Sequence, residues 1–331
     1  MTEPAEPAAP DPEGIAPRPS TFSLEGRAVP AIYLIGWVGS VMGLAVILVS
    51  FLASGSSAAG WLFLGGLGVL AIGLVAAGGS QAIEGSRRAE LAYRGPSPVL
   101  AFLAVFAITL IATVAVLAPL SAMGFDIASP AGTTISLLIT MLAYVGIVRL
   151  LVVGPGSLSW ADMGVHRPTT DSLRELLIGA VFAVPVLIVS LVLVAVLSRF
   201  LVPAPSPLPD AVDPMGLVLN LISAAILAPI GEEIFFRGFA TTAWARAVGA
   251  GPAIVRGALF FAIAHVLALF DASFETGAQR ALYSLIALLP VGLTLGWLFL
   301  ARRSLYAAIG LHATFNAIQV LLLMSAAALG R

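Results

Sequence analysis

Residues 176–197 read LLIGAVFAVPVLIVSLVLVAVL and contain no charged side chain. A transmembrane helix needs about 20 consecutive apolar residues to cross the hydrocarbon core of a bilayer. This stretch is therefore predicted to span a membrane. Eight further stretches of similar character are predicted spans, at residues 31–53, 61–82, 99–120, 133–153, 215–237, 253–270, 282–300 and 304–329.

The composition supports the same interpretation. Of the 331 residues, 60% are hydrophobic and only 10% are charged, whereas soluble domains carry about 25% charged residues. The net charge of −1 gives no indication of a nucleic-acid partner. The chain has no cysteine, which excludes disulfides and thiolate chemistry. We expect an all-α, polytopic membrane helix bundle of about nine transmembrane helices, with the lipid bilayer as its surroundings.

Composition along the chain predicts four regions. Residues 1–30 are rich in Pro and Ala and are predicted to be a disordered cytosolic tail. Residues 31–153 are predicted to form accessory transmembrane helices, and residues 154–175 a cytosolic surface loop. Residues 176–329 are predicted to form a membrane core that carries the chemistry.

The arginines predict the orientation, because cytosolic loops of membrane proteins are enriched in basic residues. With nine spans and a cytosolic N-terminus, twelve arginines fall on the inner side and three on the outer side. The N-terminus is therefore predicted to be cytosolic and the C-terminus to lie outside. The lysine-free, Pro/Ala-rich chain is typical of a bacterial protein, so a bacterial cytoplasmic membrane is the expected location.

The run APIGEEIFFRGF at residues 228–239 places two adjacent carboxylates inside an apolar stretch. A carboxylate at the centre of a span costs about 2.5–3.5 kcal/mol on insertion scales, and such residues are functional by default. Glu233 and Arg237 are four residues apart on one helix face, which predicts a structural ion pair for Glu233. That pair does not account for Glu232, which lies about 100° around the helix. Glu232 is therefore the leading functional candidate.

Two of the three histidines, His265 and His312, lie within later predicted spans. His312 and Asn316 are four residues apart, so both side chains lie on one face of the last helix. An intramembrane histidine on its own serves helix packing about as often as function. At about 1.5 Å per residue from the cytosolic helix ends, however, Glu232, His265 and His312 lie at similar depths. A shared depth is expected of residues that form one site.

Such a set has the groups that peptide-bond hydrolysis requires. A carboxylate in a low-dielectric site with an Arg nearby can accept a proton from water, which then attacks a carbonyl. His312 and Asn316 are two neighbouring donors that suit the resulting oxyanion. His265 is placed to orient the water or to share the proton.

At these residues the sequence resembles the CAAX-protease and bacteriocin-processing (CPBP) family of membrane proteins. The core of that family carries Glu-Glu-x-x-x-Arg, Phe-x-x-x-His and His-x-x-x-Asn on successive helices. The corresponding stretches here are EEIFFR at residues 232–237, FAIAH at 261–265 and HATFN at 312–316. The resemblance covers residues 176–329 at most and is sharp only over residues 230–316.

The resemblance implies an intramembrane glutamic endopeptidase that needs no metal or other cofactor. It implies that Glu232 is the base and His265 its partner, that Arg237 supports the glutamates, and that His312 and Asn316 hold the oxyanion. The expected substrate is a membrane-embedded or membrane-associated protein or peptide. The candidate catalytic residues are Glu232, Glu233, Arg237, His265, His312 and Asn316.

Three other interpretations compete with this one. Two histidines and one glutamate are also the ligand set of a catalytic zinc site, here Glu232, His265 and His312. Alternatively, a non-proteolytic membrane scaffold or bacteriocin-immunity protein would retain the polar cluster for helix packing. Transport is a third interpretation, which the sequence disfavours because it has no inverted repeat.

Overall fold

The computed structural model describes residues 23–211, 213–267, 269 and 273–329. Within these ranges the chain is helical and forms no strand, so the predicted all-α polytopic bundle is confirmed. The described residues form nine helices, namely α1 Pro30–Leu52, α2 Ala59–Ser86, α3 Pro98–Ala122, α4 Pro130–Val153, α5 Thr170–Leu197, α6 Pro214–Val248, α7 Ala250–Val266, α8 Phe274–Arg302 and α9 Leu305–Leu329.

Eight of these nine helices are long and apolar enough to cross a bilayer. The ninth, α7, is apolar but only 17 residues long. It begins before the predicted span at residues 253–270 and ends at Val266; residues 268 and 270 of that span lie outside the described residues. Residues 1–22 of the predicted tail also lie outside them, and α1 begins at Pro30, close to the predicted boundary.

Local sequence explains where the helices around the site begin and end. A proline occupies the first turn of α6, where its missing N–H is not needed, and the Asp213 carboxylate accepts a hydrogen bond from the Gly216 N–H at 2.7 Å. Gly249 ends α6 with φ +89°, a backbone conformation that glycine adopts without strain. The chain therefore reverses sharply between α6 and α7.

Glycines bring α5 and α9 into close contact. A Cβ atom at Gly179 of α5 would overlap the carbonyl oxygen of Ala307, and one at Gly310 of α9 would overlap that of Leu176. In a bilayer, helices associate through close packing of small residues, because lipid supplies no hydrophobic driving force between them. The contact fixes the helix that carries His312 and Asn316.

The predicted span at residues 215–237 ends at Arg237, whereas helix α6 continues to Val248. The predicted end reflects the cost of an arginine inside a span, which the fold removes by pairing Arg237 within the bundle. Two parts of α6 are π-helical, Ser223–Leu227 and Glu233–Thr241. Single π-helical turns are rare and are frequently found at functional sites.

A phenylalanine cluster holds α6 against α7. Phe235, Phe236 and Phe239 follow the two glutamates and are all buried. The ring of Phe236 packs edge-on against those of Phe260 and Phe261 in α7, each at a centroid distance of 5.3 Å. Edge-to-face packing of this kind is the favoured arrangement of aromatic pairs. It positions the helix that carries His265 beside the glutamates.

The segment predicted to be a surface loop at residues 154–175 is partly packed into the bundle. Leu158 and Met163 are buried in it, and α5 begins at Thr170. Asp162 accepts a hydrogen bond from the backbone N–H of Ser159 at 2.8 Å, which lowers the pKa of Asp162 below its ordinary value. Arg246, at the end of α6, pairs with Asp162 at 2.6 Å and acts in the same direction. The segment is thereby tied to α6.

Candidate active site

Three helices supply the six residues singled out from the sequence. Helix α6 carries Glu232, Glu233 and Arg237, α7 carries His265, and α9 carries His312 and Asn316. The structure brings the carboxylates, the guanidinium and the two imidazoles together in one cluster. Asn316 lies one turn further along α9 than His312 and bonds to a different part of α6.

Glu233 and Arg237 form a fully buried ion pair. Their side chains are 0% and 1% exposed, and Nη1 of Arg237 donates to Oε1 of Glu233 at 2.9 Å. The ion pair predicted from their spacing is confirmed. The Arg237 guanidinium also lies over the ring of Phe261, 4.2 Å from its centroid, in a cation–π contact. The charge of Arg237 is thus held by a carboxylate and an aromatic face.

His312 joins this pair from α9. Its Nδ1 atom lies 2.7 Å from the same Oε1 atom of Glu233. A carboxylate that accepts from an arginine is ionised and can only accept, so Nδ1 of His312 carries a proton. The other ring nitrogen, Nε2, lies 3.9 Å from Oε2 of Glu232.

His265 is held by a contact within its own helix. Its Nδ1 atom lies 2.8 Å from the backbone carbonyl oxygen of Phe261. A carbonyl only accepts, so Nδ1 carries a proton and neutral His265 presents a lone pair at Nε2. That Nε2 atom lies 3.7 Å from Oε2 of Glu232. The side chain of His265 is 37% exposed and is the most open member of the cluster.

Glu232 lies between the two imidazoles. Its side chain is 15% exposed, and its Oε2 atom faces both Nε2 atoms at distances longer than a direct hydrogen bond. Among the residues that the structure describes, this oxygen has no hydrogen-bond partner. A buried acceptor left unpaired costs about 1–3 kcal/mol. A hydrogen-bond donor from water or from a substrate would therefore stabilise the site by pairing with Oε2 of Glu232.

Asn316 contacts the first π-helical part of α6, Ser223–Leu227. Its side-chain Nδ2 atom donates to the carbonyl oxygen of Ala224 at 2.8 Å. An amide nitrogen has two hydrogens, and this bond uses one of them. The spacing of His312 and Asn316 predicted a shared face, but the partner of Asn316 has no local signal in the sequence, because 92 residues separate the two.

Phe261 has a larger part in the cluster than its place in a motif indicated. Its carbonyl oxygen bonds to His265, and its ring makes the cation–π contact with Arg237. The centroid of the same ring lies 4.4 Å from that of the His265 ring and 5.8 Å from that of the His312 ring. The only sequence signal for the first of these contacts is the four-residue spacing between Phe261 and His265, which aligns a carbonyl with a side chain one turn later.

A zinc site of Glu232, His265 and His312 is the alternative that the sequence leaves open. In the described part of the chain, no group of three or more His, Cys, Asp or Glu side chains is arranged to hold a metal ion. The contacts of Glu233 with Arg237 and His312 instead form a charge network between α6 and α9.

A known family model matches the segment of the chain that contains the cluster. Residues 214–318 match the family model described as Type II CAAX prenyl endopeptidase Rce1-like. The matched segment contains all six candidate residues and begins where α6 begins. Neither the curated proteins nor the solved structures provide a match to this chain. Over residues 214–318 the chain is similar to the Rce1-like type II CAAX prenyl endopeptidases, and this match together with the membrane-spanning helices indicates an integral membrane peptidase.

Proposed function

We propose that this protein is an intramembrane glutamic endopeptidase that hydrolyses a peptide bond of a membrane-associated protein or peptide. Glu232 activates a water molecule, and no covalent intermediate forms. The observation that carries the proposal is the position of Glu232 Oε2, which faces the Nε2 atoms of His265 and His312 at 3.7 and 3.9 Å.

The proton positions support a role for Glu232 and His265 as a pair. Neutral His265 presents a lone pair at Nε2, and ionised Glu232 presents lone pairs at Oε2, so two acceptors face each other. A water molecule has two hydrogens and satisfies both acceptors at once. Its oxygen lone pair is then free to attack a substrate carbonyl.

The hydrolytic step balances with these two residues. The water oxygen forms a bond to the carbonyl carbon, one water proton moves to Glu232 Oε2, and the carbonyl oxygen becomes an oxyanion. The tetrahedral intermediate then collapses, the carbon–nitrogen bond breaks, and the leaving amine takes the proton from Glu232. General acid–base catalysis of this kind typically contributes about 10²–10⁴-fold in rate.

His312 suits the oxyanion only in its imidazolium form. Since Nδ1 already donates to Glu233, a donor at Nε2 requires both ring nitrogens to be protonated. Glu233 then provides the counter-charge of His312. The second amide hydrogen of Asn316 supplies the other donor.

The test is a comparison of membranes from wild-type cells and cells that carry Glu232→Gln. Quantitative analysis of peptide termini should reveal a substrate whose new terminus disappears in the variant. Purified wild-type protein should then cleave a peptide of that substrate, and the variant should lose about 10²–10⁴-fold in kcat/KM.

Glu84→Gln is the matched control, because Glu84 forms an ion pair with Arg27 away from the cluster. Cells that carry Glu84→Gln should show the same set of peptide termini as wild-type cells. If Glu232→Gln cells show the wild-type set of termini and the same phenotype, the protein acts as a non-proteolytic scaffold.

We further propose that the N-terminus is cytosolic, as the arginine distribution predicts. The absence of native cysteine allows a direct test with single-cysteine variants. Ser206→Cys lies in the connection between α5 and α6, and Ser86→Cys at the end of α2; both serines are exposed. An impermeant thiol reagent added to intact cells should label the first variant and not the second. The reverse pattern would overturn the orientation.

A further inference from the structure

A polar cavity of about 480 Å³ lies at the end of the bundle where α2, α4 and α6 end and α3 begins. It is separate from the catalytic cluster. The residues that line it include Arg94, Arg246, Ser157 and Glu90. Because it lies at the ends of predicted spans, it is level with the polar region of a bilayer rather than its hydrocarbon core.

The two arginines are held by protein acceptors but retain donors. Arg94 donates from Nη2 to the carbonyl oxygen of Ala89 at 2.6 Å and from Nε to that of Leu91 at 3.3 Å. Arg246 donates from Nη2 to Asp162 at 2.6 Å. A guanidinium has five N–H donors in a rigid plane, so each side chain is oriented and still has donors for a ligand.

Close backbone packing shows that the cavity wall is built into the fold. A Cβ atom at Gly85 would overlap the carbonyl oxygen of Arg94, and one at Gly95 would lie 2.8 Å from the Cβ atom of Ser157. The hydroxyl of Tyr93 donates to the carbonyl oxygen of Pro96 at 2.9 Å, and burial raises the pKa of Tyr93 well above its ordinary value. The connection from α2 to α3 is therefore packed against the rest of the bundle.

We propose that this cavity binds a phosphate group through Arg94 and Arg246. Guanidinium groups recognise phosphate by paired, charge-assisted hydrogen bonds, which are about twice as strong as neutral ones. Ser157 lines the same cavity. The phosphate belongs either to the headgroup of an anionic lipid or to a soluble phosphorylated compound, and both present the same chemistry to the arginines.

Replacement of Glu90 should change phosphate affinity in the direction opposite to replacement of an arginine. Glu90 lines the cavity and its negative charge repels an anion, so it weakens phosphate binding without preventing it. Replacement of an arginine should weaken binding, whereas Glu90→Gln should strengthen it. A ligand with both a cationic and an anionic group would respond differently, because Glu90→Gln would remove its cationic contact.

The test uses the full chain in nanodiscs of phosphatidylcholine. The thermal unfolding midpoint is followed while phosphatidylglycerol replaces part of the neutral lipid or, separately, while inorganic phosphate is added. Wild-type protein should be stabilised in a saturable manner. Arg94→Gln and Arg246→Gln should each raise the half-saturating concentration about tenfold, and Glu90→Gln should lower it several-fold. Arg246→Gln keeps the test decisive if Arg94→Gln does not fold.

Arg256→Gln is the control, because Arg256 is an exposed arginine of α7 outside the cavity. It should leave the half-saturating concentration unchanged. Stabilisation by phosphatidylglycerol alone identifies a lipid headgroup, and stabilisation by inorganic phosphate as well identifies a soluble phosphate site. Equal losses in the Arg256 and Arg94 variants, or no saturable stabilisation of the wild type by either probe, would overturn the proposal.

Discussion

His312 lies 2.7 Å through its Nδ1 atom from the Oε1 atom of Glu233, the same atom that accepts from Arg237 at 2.9 Å. One carboxylate oxygen therefore connects two positively chargeable side chains from two different helices. This gives the adjacent glutamates different surroundings. Glu233 is fully buried and its Oε1 atom contacts both partners, whereas the side chain of Glu232 is 15% exposed and makes no hydrogen bond through Oε2.

Glu233→Gln should destabilise the protein far more than Glu232→Gln. Removal of one partner of a buried ion pair leaves the other charge uncompensated and typically costs about 3–5 kcal/mol. Glu232 makes no direct hydrogen bond through Oε2, so its replacement leaves no comparable charge unpaired. Thermal unfolding of the two purified variants beside the wild type provides the measurement. Equal unfolding midpoints for Glu232→Gln and Glu233→Gln would contradict the assignment.

Asn316→Asp should abolish most peptidase activity. An ionised aspartate keeps the size of asparagine but has no N–H donor, so both the contact with the Ala224 carbonyl and the oxyanion donor are lost. Loss of one oxyanion donor typically lowers kcat by about 10²–10³. Kinetics on the peptide identified from the comparison of termini measure the effect. Gln319→Ala changes another amide of α9 and serves as the control; wild-type kcat in Asn316→Asp would remove Asn316 from the site.

Chelation should leave activity unchanged. The proposed step uses a carboxylate, two imidazoles and an amide, and none of them requires a metal. Purified protein is incubated with EDTA or 1,10-phenanthroline and assayed on the same peptide. Loss of activity that added Zn²⁺ restores would favour the alternative in which Glu232, His265 and His312 are zinc ligands.

Asp162→Asn should lower stability at neutral pH, and the difference from the wild type should vanish in acid. The pKa of Asp162 is lowered in the folded state, so its contribution is present above the ordinary aspartate value of about 3.9 and is lost as pH falls through the folded value. The effect should stay below about 1 kcal/mol, because the pair with Arg246 is solvent-exposed. Unfolding midpoints across pH measure it, with Asp210→Asn in another connection as the control. A difference that persists at pH 2 would contradict the interpretation.

Gly179→Ala should destabilise the bundle, whereas Gly146→Ala should not. The added methyl group at Gly179 would overlap the carbonyl oxygen of Ala307 and push α5 away from α9. At Gly146 no neighbouring atom lies within 4 Å, and alanine there removes the flexibility of glycine in a helix. Thermal unfolding of the two variants under identical conditions tests the contrast. A Gly179→Ala protein with the wild-type unfolding midpoint would show that α5 and α9 can separate to accommodate a methyl group without loss of stability.

The sequence predicted the helices well because a bilayer imposes one strong requirement. Each span must be apolar and about 20 residues long, so hydropathy alone located them. The end of α6 was less predictable. Arg237 is a sound indicator of a span end when considered alone, and only the fold shows that Glu233 and Phe261 hold it inside the bundle.

Within the candidate site, local spacing predicted contacts along one helix and not contacts between helices. The pair of Glu233 and Arg237 follows from their separation of four residues. The bond between Glu233 and His312 joins residues 79 apart, and no local pattern encodes it. Equal depth in the membrane indicated that these side chains could meet, but the atoms that bond depend on the packing of α6, α7 and α9.

The length of α6 has a consequence for the membrane itself. Its 35 residues amount to roughly 50 Å at the rise of an α-helix, against a hydrocarbon core of about 30 Å. The helix must therefore tilt, project into the headgroup layer, or do both. A tilt changes the depth of the two glutamates relative to the lipid headgroups. For the proposed endopeptidase, bilayer thickness is then a physical variable that selects which segment of a membrane-associated substrate reaches Glu232.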